Sequence, residues 1–310
     1  MVNILLEGYD IAASYLKDEL SEYIKPEHSV AVEALSFRDN RVKSVEDWNK
    51  LYSKENGMYY GGIVGGFTAY GVAEEKISFI NYFTDSHEAA VRKIANADIV
   101  YFLGGLPDRM MDRIIEMELY DVLMNHKGIV MGYSAGAVIQ LAEYHLSPDD
   151  DYPEFSYYEG LPYLKDFYIE VHYENADVQN EAITRVLSER RKTVYAIARG
   201  AGAIVVDNGK IKLLGDVKVA IPTEEENMPK VKLTITESKC RCGYFAKGQE
   251  FIVEDLCPPL CHELWNSIYP MVYALLNGVE LDFGETRAKM FNAKCPDGGR
   301  VCIHGEAIDE

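Results

Sequence analysis

Short apolar runs alternate with stretches of helical period over the first two thirds of the chain. Residues 2–6, 30–35, 77–82, 97–105 and 129–131 read as strands, most of them continuously apolar as in a sheet covered on both faces. Between them, Ile11, Tyr15, Leu16, Leu20 and Ile24 recur at helical spacing before Pro26, and residues 45–52 read as a helix. Ser86 caps a helix through Ile94, and residues 108–125 predict another with Met111, Ile115, Leu119 and Val122 as its buried stripe. The glycine-rich 61–66 reads as a loop or bulged strand; without a following Lys-Ser/Thr it is not a phosphate cradle. A helix is predicted over 135–144, a strand over 167–171, a helix over 176–190 and a strand over 194–198. Residues 203–214 read as a hairpin whose Asn208-Gly209 suits a type I′ turn. Such alternation predicts an α/β fold: a mostly parallel sheet with helices on both faces and its reactive edge at the carboxyl ends of the strands.

The pattern changes after Pro222. Residues 1–222 are read as one domain, 223–230 as a charged linker, and 231–310 as a small α+β domain. That domain is expected to hold strands at 231–236 and 250–253, then a helix with Leu264, Trp265, Ile268, Val272 and Leu275 on one face, kinked at Pro270. A last strand is expected through Ile303. All six cysteines (240, 242, 257, 261, 295 and 302) fall in this part of the 310-residue chain. Cys240, Cys242, Cys257 and Cys261 are candidate thiolate ligands for zinc or an iron–sulfur cluster, set against buried apolar cysteines as the plainer reading. A net charge of −19 leaves no basic surplus to meet phosphates, which argues against nucleic acid and anionic membranes as partners. No apolar segment approaches the ~20 residues of a membrane span, and the first residues lack the flank and cleavage site of a signal peptide. A cytoplasmic location is expected.

Candidate chemistry centres on Gly128-Ile-Val-Met-Gly-Tyr-Ser-Ala-Gly-Ala137, a strand, a tight turn and a helix with Ser134 in a Gly-x-Ser-x-Gly frame. Such a turn exposes a serine hydroxyl as a candidate nucleophile, and the glycines keep side chains away from the reacting carbonyl. Acyl transfer by serine then needs a base, an acid to orient that base, and donors for the oxyanion. Of the seven histidines, His28, His87, His126 and His145 read as solvated, and His262 and His304 lie in the second domain. His172 alone ends a strand of the nucleophile's sheet and is the candidate base.

Residues 77–209 resemble the dipeptidase E and cyanophycinase family of serine peptidases, which have a class I glutamine amidotransferase-like fold. The matching stretches are Ala97-Asp-Ile-Val-Tyr-Phe-Leu-Gly-Gly105, Gly132-Tyr-Ser-Ala-Gly-Ala137, Val171-His172-Tyr173 and the strand and turn from Ala196 to Gly209. The resemblance implies Ser134 as nucleophile, His172 as general base and the backbone amides of Gly105 and Ala135 as the oxyanion hole. Where members carry the acid that orients the histidine, this chain has Arg199, and Asp151 is the candidate substitute. Members that cleave aspartyl dipeptides open the helix after the histidine with arginines, whereas this chain has Asp177-Val-Gln-Asn-Glu181. Residues 231–310 resemble a small bacterial family of unknown function through Cys242, Lys247-Gly-Gln-Glu-Phe251, Leu260-Cys261, Tyr269-Pro270 and Cys295-Pro-Asp-Gly.

The resulting expectation is a serine hydrolase, a peptidase acting on short or unusual peptides, without a cofactor in its first domain and with a homodimer as candidate assembly. The alternative from another class is a catalytically degenerate homologue that binds ligands or senses redox state or metal. An ordinary α/β-hydrolase fits less well, because only 38 residues separate Ser134 from His172.

Overall fold

The computed structural model describes residues 1–222, 230–254 and 256–308, and the chain divides into two compact units, Met1–Pro222 and Thr223–Glu310. The linker expected over 223–230 lies outside the described residues apart from Lys230. Among the described residues no helix is long and apolar enough to cross a membrane.

The first unit runs β1 (Val2–Leu6), α1 (Ser14–Leu20), β2 (Val30–Glu33), α2 (Val45–Tyr52), α3 (Tyr60–Thr68), β3 (Ile77–Ile80), α4 (His87–Ala95) and β4 (Ile99–Phe102). It continues through α5 (Pro107–Glu116), α6 (Tyr120–Asn125), β5 (Ile129–Tyr133), α7 (Ala135–Val138), β6 (Glu143–Leu146), β7 (Ser156–Glu159), β8 (Phe167–Tyr173), α8 (Asp177–Arg190), β9 (Thr193–Asp207) and β10 (Lys210–Ala220). In the main sheet β1, β5, β4, β2 and β3 lie side by side and parallel. The long β9 runs antiparallel to β1 and to β10, and β8 pairs in parallel with the first half of β9. The β9–β10 hairpin turns at Asn208 and Gly209, both at positive φ as a type I′ turn requires.

Strand residues alternate between two cores. Ile4, Val32, Tyr101 and Met131 face one that α1, α2 and α3 cover, while Val100, Phe102 and Val130 face another built with Ala90, Ile94, Met110 and Ile114. Helices on both faces therefore hold the strands' carboxyl ends along one rim.

Three elements differ from expectation. Residues 61–66 are helical within α3, because Ile63, Val64 and Phe67 bury one face in the first core. Gly66 lets that helix press against Ile11, whose side chain would meet a Cβ at 2.9 Å. Tertiary burial outweighs the poor helix propensity of glycine here. The helix expected over 108–125 is two helices, broken at Glu118 with φ 56°. Its buried stripe is Met110, Arg113, Ile114, Leu119 and Leu123, while Ile115 is exposed. The helix expected over 135–144 ends at Val138. Buried Gln140 then donates to the carbonyl of Gly136 (2.9 Å) and accepts from Asn3 (3.0 Å), and the chain turns into β6.

Glu33, at the end of β2, is fully buried, and among the described residues neither of its carboxyl oxygens has a hydrogen-bond partner. Burial, reinforced by Asp85 and opposed by Lys93, pushes its pKa up to about 8. The folded chain therefore binds one more proton than the unfolded chain between the ordinary carboxyl value and about pH 8. Stability is lost as pH rises through that window, by up to about 1.4 kcal/mol per pH unit. Glu33→Gln removes this slope. Chemical denaturation of both proteins from pH 5 to 8.5 should show the variant gaining steadily on wild type, and parallel curves would contradict the assignment.

The second unit is an antiparallel sheet of β11 (Lys230–Ser238), β12 (Glu250–Val253), β15 (Met290–Lys294) and β16 (Val301–Ile308) in the order β12-β11-β16-β15. Between β12 and β15 in the chain come α9 (His262–Leu276) and a small hairpin of β13 (Leu281–Phe283) and β14 (Thr286–Ala288). Leu264, Ile268, Val272 and Leu275 of α9 pack on Leu233, Ile235 and Ile303 of the sheet, and α9 runs through Pro270 as one helix. All six cysteines are free thiols. Cys240 lies in a turn whose amides at Tyr244, Cys242 and Gly243 point at its sulfur and lower its pKa. Cys257 Sγ contacts the Pro258 carbonyl, and Cys261 caps α9. Among the described residues no three Cys, His, Asp or Glu side chains come together to hold a metal ion.

Candidate active site

The site is assembled from the carboxyl ends of β1, β5 and β8. At the end of β5 the chain turns sharply, and Ser134 adopts φ 52° and ψ −117° with its amide donating to the Leu6 carbonyl at 3.0 Å. A non-glycine residue in this region is strained and persists only where its surroundings impose it. Here they do. A Cβ on Gly132 would meet the Gly136 carbonyl oxygen at 2.3 Å, and one on Gly136 would meet that of Phe102 at 2.1 Å. The glycine frame is thus the condition for packing the turn against β4.

His172 comes from β8, at an irregularity in the β8–β9 pairing where its own φ is 55°. Gln179 of α8 donates to its carbonyl at 3.1 Å. The imidazole Nε2 lies 2.7 Å from Ser134 Oγ. On the other side, Nδ1 lies 2.7 Å from Oε1 of Glu7, the residue that follows β1. The second oxygen of Glu7 accepts the Gly200 amide at 2.8 Å. An ionised carboxylate can only accept, so Nδ1 carries the ring proton and Nε2 is left to accept from the serine hydroxyl. The Glu7 side chain is 10% exposed and that of His172 36%, so the carboxylate is sheltered while the ring is open to solvent.

The carboxylate at Nδ1 is thus that of Glu7 and not, as expected, that of Asp151. Asp151 is held by the guanidinium of Arg38, with Nε at 3.0 Å from Oδ1, and this pairing holds its carboxyl below the ordinary value. Arg199 pairs with Glu174 at 3.2 Å, both well exposed, and lines the opening beside His172. The neighbouring backbone amide, at Gly200, is the group that reaches Glu7. Accordingly, Asp151→Asn should change the rate of Ser134 phosphonylation by less than about tenfold, and a loss of several hundredfold would return Asp151 to the machinery.

Of the two amides expected to receive the oxyanion, that of Ala135 directly follows the serine. Ala135 opens α7, and the first amides of a helix have no partner within it. Gly105 lies in a bend clamped by Ser36, whose hydroxyl donates to the Gly104 carbonyl (2.6 Å) and whose carbonyl accepts the Leu106 amide (2.8 Å). At φ +145°, with a Cβ only 2.3 Å from the Ser36 oxygen, position 105 admits only glycine. Buried Arg113 holds the Ser36 loop from below, through the carbonyls of Leu35 and Phe37 and the carboxylate of Asp39.

His145 is not solvated as expected. It is buried, with Nε2 2.8 Å from Glu170, which also accepts from Ser147 (2.8 Å) and Gln179 (3.2 Å). His126 is buried as well.

A serine, an imidazole and a carboxylate linked in series at the rim of an α/β sheet have the geometry of hydrolases that act through an activated hydroxyl. Residues 59–214, about half of the chain, match the model of peptidase family S51, and the chain belongs to that family. No curated protein matches it. Among solved structures it is similar to a protein described as a candidate peptidase E from Listeria monocytogenes EGD-e, at 16% identity and a TM-score of 0.49, covering 69% of this chain and 98% of that one. It is also similar to a peptidase from an acI-B1 Actinobacterium, at 18% identity and a TM-score of 0.47, covering 71% and 90%.

Proposed function

We propose that the protein is a serine peptidase acting on short peptides, with Ser134 as nucleophile, His172 as general base and Glu7 as the acid that orients it. The observation that carries this reading is the pair of 2.7 Å contacts on the two nitrogens of one imidazole. Ser134 Oγ attacks the scissile carbonyl as its proton passes to His172 Nε2. The carboxylate of Glu7 stabilises the imidazolium, and the amides of Gly105 and Ala135 receive the oxyanion. The imidazolium then protonates the leaving amine, and water, activated by the same ring, releases the acyl group. The alternative is a catalytically degenerate homologue, for which the arginine at position 199 speaks; Glu7 at His172 Nδ1 supports the hydrolase reading instead.

Incubating the full chain with a dipeptide library and reading the free amino acids by mass spectrometry tests the proposal. Wild type should release products and Ser134→Ala roughly 10⁴-fold less. Equal turnover by both, or none by wild type, would sink it.

A further inference from the structure

A cavity of about 440 Å³ opens beside the site, bordered by Gly104, Gly105 and Tyr133. Tyr133 immediately precedes the nucleophile and also lines the opening that His172 and Glu7 share. Gly105, the oxyanion donor of the proposed mechanism, is thus shared between the cavity and the reacting carbonyl. Five of the cavity's lining residues are aromatic, Tyr9, Phe37, Tyr52, Tyr59 and Tyr133, and four are charged. The rings of Tyr9 and Tyr133 meet edge-on with centroids 6.3 Å apart, and those of Tyr52 and Tyr59 lie 6.0 Å apart.

Two of the three cations in the lining are paired. Lys50 is paired with Asp47 at 2.8 Å, and Arg38 is held by Asp151. Arg41 is exposed and shares the field of Asp151 with Arg38. A substrate carboxylate would compete with those acids and lose its water among aromatic rings, at a cost that a neutral ring avoids. Aromatic faces favour another ring at centroid distances of about 4.5–7 Å, the spacing already present in the walls.

We infer that this cavity is the acyl-side specificity pocket and that it takes a neutral aromatic side chain, making the protein selective for peptides with Phe or Tyr before the scissile bond. This rests on the peptidase reading, and the test separates the two. Aminoacyl coumarin amides of Phe, Tyr, Ala, Lys and Asp are compared by kcat/KM with wild type, Tyr59→Ala and Tyr59→Phe. Phe and Tyr should exceed Ala and Asp at least tenfold. Tyr59→Ala should lower the Phe-to-Ala ratio about tenfold, and Tyr59→Phe should restore it. A flat panel, an Asp preference or an unchanged ratio in Tyr59→Ala overturns the assignment. In parallel, the amino-acid amides are titrated calorimetrically against Ser134→Ala. Tenfold tighter binding of Phe-amide than of Asp-amide supports the pocket even if wild type releases no coumarin, an outcome that removes the peptidase reading alone. No aromatic preference in binding, with wild type still labelled by a fluorophosphonate, removes the pocket alone.

Discussion

Ser134→Ala should lower peptide hydrolysis by roughly 10⁴-fold or more while leaving the fold intact. The substitution removes one oxygen, which is the reacting atom, and keeps the backbone geometry of the turn. That geometry is imposed by the neighbours of Gly132 and Gly136 and by the Ser134 amide bond to Leu6, none of which uses the hydroxyl. The activity that remains measures what the Gly105 and Ala135 amides and substrate binding accomplish without a nucleophile. Thermal denaturation beside the kinetics separates the two effects: an unchanged melting temperature with lost turnover is expected, and retained turnover would remove Ser134 from the mechanism.

Glu7→Gln should cost about 10⁴-fold in kcat with little change in stability. The amide is isosteric, and its oxygen can still accept the Gly200 amide. Facing Nδ1, however, its NH₂ is a donor, so the ring must turn its lone pair there and carry the proton on Nε2. In that tautomer Nε2 donates and cannot take the proton of Ser134. The imidazolium also loses its countercharge. Glu7→Asp keeps the charge but shortens the reach, and it should retain more activity than Glu7→Gln. The opposite ranking would mean that charge and tautomer do not matter at this position.

The strands and their common edge were legible because each is a short, mostly apolar run, and the serine turn was legible because its glycines are spaced for close packing. The rest of the site was less so. Glu7 stood in plain view at the end of the first strand, but its role depends on β9 crossing beside β1 and bringing Gly200 and β8 to it, a long-range pairing that no local pattern encodes. The general rule that chemistry gathers at carboxyl ends of strands already pointed to it. Arg113 misled the phase of α5, because a buried cation satisfied by carbonyls looks like a solvent position. His145 misled for the same reason, its partner Glu170 being 25 residues away. The glycine-rich α3 shows the converse, since its helix comes from the core that receives it rather than from its own propensity.

If Glu7, His172 and Ser134 work as one unit, the rate at which a fluorophosphonate modifies the full-length protein depends on all three, with the adduct located by peptide mass spectrometry. A single adduct on Ser134 is expected in wild type, formed at least about 10³-fold more slowly in Glu7→Gln. An adduct on another residue, or equal rates in the two proteins, would contradict such a unit.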